Sequence, residues 1–255
     1  MKLRKWNGWR PLVVLLLLLI GWEITVKAFS VPDWLLPAPT QIFIEGINDW
    51  SGYNSHIFST IRLSLLGLVI GSSIGILGAT LLHLIPFMRE TLYPLLILSQ
   101  NVPVIVLAPL LIIWFGFGLL PKIIVITLVC FFPITVAALD GFKQTAPDLK
   151  HYMTMAGATK WQLFWKLELP YALPSLFSGL KISATYSVMG AVISEWLGAK
   201  SGLGVYMTFA SSSFRTDRVF ISIFWIMLLS YIFFSGIKLL ERYFVRWQYK
   251  GENKK

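Results

Sequence analysis

Six stretches of this chain are too apolar to be covered by a water-soluble surface, and each is long enough to cross a bilayer. They are expected as helices at about 11–29, 56–84, 91–115, 121–139, 173–197 and 219–240. A spanning helix needs roughly 20 apolar residues to match a hydrocarbon core about 30 Å thick. Of 255 residues, 56% are hydrophobic and 13% are charged, the charged share being about half that of a soluble domain. The mean hydropathy is +0.70. One all-α integral membrane domain with lipid as its solvent is therefore expected, rather than two small soluble domains.

The net charge of +10 falls at the two ends and in one middle segment, between apolar runs. Lys2, Arg4, Lys5 and Arg10 open the chain, and Arg242, Arg246, Lys250, Lys254 and Lys255 close it. Lys143, Lys150, Lys160 and Lys166 mark the longest hydrophilic stretch, 141–172. The first loop, 30–55, has no lysine or arginine. By the positive-inside rule both termini and the 141–172 loop are cytoplasmic, and 30–55 is external with a short interfacial helix from Thr40. Such a distribution points to membrane topology, not to a nucleic-acid partner. The first apolar stretch is followed by Trp22, Glu23 and Lys27 rather than a small-residue cleavage site, so it reads as an uncleaved transmembrane helix.

Within the spans, Gly67, Gly71 and Gly75 recur every four residues, with Ala79 following. They form one small-residue face that lets a second helix approach closely. The third stretch contains Pro94, Pro103 and Pro109, and Ser99, Gln100 and Asn101 near its middle. Freed carbonyls and adjacent amides at that depth require protein or a water-filled path beside them. Gln100 and Asn101, with Ser183 and Ser187 of the fifth helix, are the candidate translocation-path residues. Glu23 and Glu195 are the intramembrane acids, with no partner evident; Glu195 is a candidate to hold an outer gate through the backbone of 202–204. Cys130 is a lone thiol in an apolar run, and His56, His83 and His151 show no ligand spacing, so no metal site is expected. His83 reads as a solvated imidazole near a helix end. No catalytic group is assigned. An intramembrane enzyme needs paired carboxylates, a Ser–His pair or metal ligands, and an ion-coupled carrier or channel usually shows repeats or buried acid–base chains. None is evident.

The 141–172 loop asks for an explanation. Gly157 permits a hinge between two short helices. Leu163, Phe164 and Leu167 share one side of the second helix, with Lys160 and Lys166 elsewhere and Trp161 beside them. Pro170 and Pro174 are expected to stop this helix and redirect the chain into the fifth span. A short helix parallel to the membrane results, offering apolar side chains to a partner protein or to lipid headgroups.

The spacing of Gly157 and Ala158 to Leu169-Pro170 and Pro174 resembles the "EAA" loop of ABC importer permeases, with His151, Tyr152 and Met153 at the name-giving positions. The segments 36–42, 102–110, 114–118, 131–134 and 194–204 are similar, in order, to one subgroup of that family, which serves nitrate, taurine, alkanesulfonates and pyrimidine precursors of thiamine. The resemblance implies the type I (MetI-like) permease fold with six transmembrane helices in a bacterial inner membrane. It implies a second permease copy, two ATPase subunits and an extracytoplasmic substrate-binding protein as partners. Gly157, Ala158, Lys160, Trp161, Leu163, Phe164, Leu167 and Pro170 would then form the coupling contact with the ATPase. No Gly-Lys dipeptide occurs in the chain, so a phosphate loop of the G-x-x-x-x-G-K-[ST] type is impossible; ATP and Mg would be bound by the partner, and no cofactor by this chain. The candidate path residues are neutral, which leans toward a small organic nutrient such as a thiamine pyrimidine precursor.

Overall fold

A computed structural model describes residues 9–246. Lys2, Arg4, Lys5, Lys250, Lys254 and Lys255, on which part of the topology argument rests, lie outside the described residues. The elements are α1 (Trp9–Ala28), α2 (Pro39–Asn48), α3 (Trp50–Leu84), α4 (Pro86–Ser99), α5 (Val104–Phe115), α6 (Leu119–Lys143), α7 (Pro147–Met155), α8 (Lys160–Leu163), a π-helical turn (Phe164–Glu168), α9 (Leu169–Glu195), α10 (Leu203–Ser212) and α11 (Thr216–Phe244). Five helical runs are long and apolar enough to cross a membrane, and the bent pair α4–α5 makes a sixth apolar segment.

The centre is a three-helix block in which α6 packs against both α3 and α9. Its closeness follows from small side chains. A Cβ added at Gly67 would fall 2.3 Å from Ile126, one at Gly71 would fall 2.7 Å from the Cys130 Cβ, and one at Gly75 would fall 3.2 Å from Ile134. Both faces advance four residues at a time, so the glycine grooves of α3 receive a matching ridge of α6. On the opposite side of α6, a Cβ at Gly179 of α9 would meet Ala137 at 2.7 Å, and one at Gly141 would meet Ala172 at 3.0 Å. Ala138, Ala172, Ala184 and Ala191 are buried in these seams. An ion pair of 2.9 Å between Lys181 and Glu241 joins α9 to α11.

Three boundaries differ from the sequence reading. The third stretch is two helices meeting at 99° across residues 100–103, because Pro103 has no N–H to continue the ladder and Asn101 instead donates to the Ile97 carbonyl (3.1 Å). The second span begins at Trp50, and its 35 residues make a helix about 50 Å long, well beyond the apolar core of a bilayer. Finally, Pro170 and Pro174 do not stop the loop helix: Lys160–Glu195 is one helical run. At Pro170 the π-helical turn explains this, while Pro174 lies in the first turns of α9. Leu169 donates to Phe164 five residues back, and the widened register leaves room for a proline ring that would clash with the i−4 carbonyl of an ordinary helix.

Glu23 also finds partners. It accepts from the Thr40 N–H (3.1 Å) and hydroxyl (2.8 Å) and pairs with Lys27 at 2.6 Å. It thereby caps the first turn of α2 from outside that helix. α1 is otherwise nearly uncovered by the rest of the chain, Val26 being its buried residue.

Overpacking the seam tests this arrangement. Gly71→Leu is expected to lower stability by about 1–3 kcal/mol, measured as thermal unfolding in detergent. Gly236→Leu, at a site with nothing within 4 Å, is expected to be neutral. Equal behaviour of the two variants would mean the α3 stripe does not pack.

Candidate functional site

The loop after α6 builds an elbow. α7 ends in a left-handed glycine: Gly157 has φ +81°, its N–H donates to Thr154 (3.0 Å), and the Ala158 N–H donates to Met153 (3.0 Å). These two bonds make a Schellman cap, which glycine adopts without a Cβ penalty. Thr159 and Gln162 then cap the next helix reciprocally, through 3.3 Å and 2.9 Å bonds. Two successive caps, three residues apart, fix the bend.

The face of this second helix is divided in a way the sequence did not reveal. Phe164 is 2% exposed and Leu167 is also buried; Phe164 packs with Ala79, Leu82, Phe142 and Ala172 in the chain's own core. Neither side chain is free to fill a partner's groove. The cause is the continuous run into α9, which rolls their face onto the C-terminal ends of α3 and α6. Leu163 and Pro170 are half-buried, whereas Gly157 and Lys160 are exposed and Ala158 is half-buried. The outward aromatic and apolar surface consists of Trp161 (62% exposed), Trp165, Tyr152 and Met155.

Beneath the elbow lies a buried carboxylate. Glu168 accepts from Lys150 Nζ of α7 at 2.6 Å and from His83 Nε2 of α3 at 2.8 Å. The His83 ring stacks on Phe142, centroids 4.5 Å apart. His83 is therefore a partnered side chain within the protein, not a solvated one. Position alone, beside Leu169-Pro170, gave no signal for Glu168; only the fold brings its partners from 18 and 85 residues away.

A second buried carboxylate sits at the other end of α9. Glu195, 1% exposed, accepts from the Thr60 hydroxyl (2.7 Å) and the Gly204 N–H (2.8 Å). Thr60 in turn accepts from the Leu203 N–H at 2.8 Å, and His56 Nδ1 lies 3.0 Å from the Gly202 nitrogen. Gly202 has φ +133°, and a Cβ there would fall 2.1 Å from the Glu195 carboxyl carbon. The loop before α10 is thus wrapped onto Glu195 and cannot accept a side chain at 202. Beyond it, Glu45 bridges Arg215 (2.6 Å) and Arg218 (2.9 Å), and the Tyr206 hydroxyl donates to Asp49 at 2.6 Å. Burial first, then the Asp49 carboxylate, pushes the Tyr206 phenol above its ordinary range.

The four candidate path residues are not brought together. Gln100 and Asn101 are exposed at the α4–α5 bend. They adjoin a groove of about 580 Å³ lined by Leu82, Leu96, Ser99, Leu107 and Phe131. Ser183 and Ser187 are fully buried; their hydroxyls donate to the carbonyls of Cys130 and Ala184, both at 2.9 Å. Small hydroxyl residues that satisfy themselves on backbone fit a tight seam. A further feature escaped the sequence reading: Arg62, Lys122 and Lys200, far apart in the chain, surround one recess of about 690 Å³ with Ser55 and Ser59.

Helices packed as a block, an elbow between the fourth and fifth spans and a clasped loop at the far end define a membrane transport subunit. Residues 67–246 match the family described as the binding-protein-dependent transport system inner membrane component. The chain belongs to this family. It is 37% identical over 248 residues to the formylaminopyrimidine transport permease protein ThiX of Halalkalibacterium halodurans, covering 97% of this chain and 99% of that one. It is 34% identical to the riboflavin transport system permease protein RibX of Chloroflexus aurantiacus, covering 92% and 89%. Among solved structures, an inward-facing form of the MetNI methionine ABC transporter aligns with TM-score 0.63 and 20% identity, over 74% of this chain and 94% of that chain. It shares the fold.

Two substitutions separate packing from docking. Phe164→Ala is expected to cost about 3–5 kcal/mol of stability, and Trp161→Ala less than about 0.5 kcal/mol, by thermal unfolding. At the C-terminal end of α9, Glu195→Gln keeps an acceptor and Glu195→Ala leaves the Gly204 N–H and Thr60 without one. The alanine variant is expected to lose about 1–3 kcal/mol more than the glutamine variant. Equal losses would mean that the hydrogen bonds do not hold the loop.

Proposed function

We propose that this permease subunit forms the translocation path of an ATP-driven importer and receives its drive through the 147–163 elbow. The supporting observation is the elbow itself: a doubly capped bend, bonded to the membrane block through Lys150 and Glu168, with Trp161, Tyr152 and Met155 turned outward. A chain without a phosphate loop needs such a contact to take up a partner's motion. A homodimer, two ATPase subunits carrying ATP and Mg, and an external binding protein complete the assembly. Both termini and the elbow face the cytoplasm. Gln100 and Asn101 neighbour the path, and Glu195 holds the outer gate by keeping the 198–204 loop closed over α9. Alternating access is a rigid-body rotation of the packed helices.

The cargo is a small organic nutrient, and a pyrimidine-type heterocycle is favoured by the ThiX and RibX likeness. The recess of Arg62, Lys122 and Lys200 favours a second reading, in which the cargo carries an anionic group. Uptake of labelled aminopyrimidine against labelled alkanesulfonate decides between them. The anionic reading requires that Arg62→Gln with Lys122→Gln lower sulfonate uptake and spare the pyrimidine.

Docking is tested by Gly157→Val and Trp161→Ala. Both are expected to insert normally and to reduce co-purification with the ATPase by roughly tenfold or more, the loss of one interface anchor. Normal co-purification in both would remove the elbow from the mechanism. Orientation is tested in a Cys130→Ser background: Ser51→Cys is expected to react with an impermeant thiol reagent from outside intact cells, and Gln144→Cys is not. The reverse pattern would invert the topology.

A further inference from the structure

Two buried glutamates terminate one helical run. Glu168 closes the π-helical turn, Glu195 ends α9, and the 27 residues of α9 separate them, about 40 Å of helix. Each carboxylate bonds to the same neighbouring helix: Glu168 to His83 near the inner end of α3, and Glu195 to Thr60 toward its outer end. Each also holds one peripheral segment. Glu168 takes Lys150 from α7, and Glu195 takes the Gly204 N–H at the start of α10. Between the clamps, α3 and α9 are held to α6 at contacts where an added Cβ would have no room.

We infer that Glu168 is the positioning residue that engages the elbow with the α3–α6–α9 block, so that displacement of α7 reaches the 198–204 loop and α10 as a rigid-body movement. The reasoning is mechanical. Ala156 and Gly157 of the turn are exposed, and the turn makes no core contact at the glycine, where an added Cβ would meet nothing within 4 Å. α7 has no buried residue of its own. The Lys150–Glu168 bond is thus the anchored contact that carries α7 into the core, and the shared carboxylate ties it at once to α3. A carboxylate with little access to water holds its two donors strongly, because neither oxygen has a substitute partner. The far clamp then has the same logic: Glu195 and Thr60 together hold two backbone positions of the outer loop, the Gly204 and Leu203 N–H groups, so a tilt of α9 against its surroundings moves that loop with it.

This inference rests on the reading that the elbow docks on an ATPase, and the experiment separates the two. A fluorophore is placed at Ser211→Cys, exposed on α10, in a Cys130→Ser background. The full complex, with the ATPase that co-purifies with the wild-type chain, is reconstituted and given ATP and Mg with vanadate. Co-purification, ATP hydrolysis and the label's response are read together. Glu168→Ala is expected to retain the ATPase and its hydrolysis while the outer label's response falls at least fivefold. Glu168→Gln, which keeps one acceptor, is expected to fall between the alanine variant and wild type. With the ATPase bound, an unchanged label response in Glu168→Ala overturns the inference alone. Loss of assembly in Glu168→Gln, whose shape is preserved, assigns Glu168 to folding only and also overturns it. A wild-type chain that retains no ATPase overturns the docking reading, and this inference with it.

Discussion

Contact between α6 and its two neighbours at glycine distance is the constraint from which the rest follows. In lipid, apolar side chains gain little by leaving their solvent, so helices associate through close packing and interhelical polar bonds. The four-residue stripe Gly67–Gly71–Gly75 against Ile126, Cys130 and Ile134 supplies the first. A larger side chain on either face would separate the helices and forfeit many weak contacts at once. Because α6 is gripped on both sides, α3 and α9 share a common frame, and their ends occupy defined positions relative to each other.

Those ends are where the polar bonds lie. Glu168 and Glu195 are buried where the helices leave the block, and both have two bonded donors. A carboxylate in such a place is tolerated only when its oxygens are satisfied. Satisfying them draws in a segment at each end of α9: α7 through Lys150 at one end, and at the other the 202–204 backbone, whose Leu203 is also buried among apolar side chains. The network of Glu45, Asp49, Arg215 and Arg218 extends the Glu195 cluster to α2 and the start of α11.

Much was legible in the chain because lipid imposes a simple code. Apolar length, proline and glycine placement and basic-residue bias gave the number of spans, the small-residue face, and the elbow at Gly157. The elbow's bend follows from local chemistry, a glycine that accepts a left-handed conformation followed by a Thr–Gln capping pair. Phe164 and Leu167 were misassigned because helical periodicity says which residues share a face, not what that face meets. Pro170 misled for a similar reason. The proline rule applies to an ordinary i−4 register, and the widened turn before Pro170 makes room for its ring.

What the sequence alone determined was a six-segment membrane protein with a loop that bends at Gly157, since these depend on residues near one another in the chain and on their solvent preference. Tertiary structure decided which side of the loop is core and which is surface, that His83 and Lys150 share Glu168, that Thr60 and Gly204 share Glu195, and that Arg62, Lys122 and Lys200 meet around one recess. Each of these joins residues far apart in sequence. No local propensity encodes such a meeting; it exists because helices packed at glycine distance bring their termini into register.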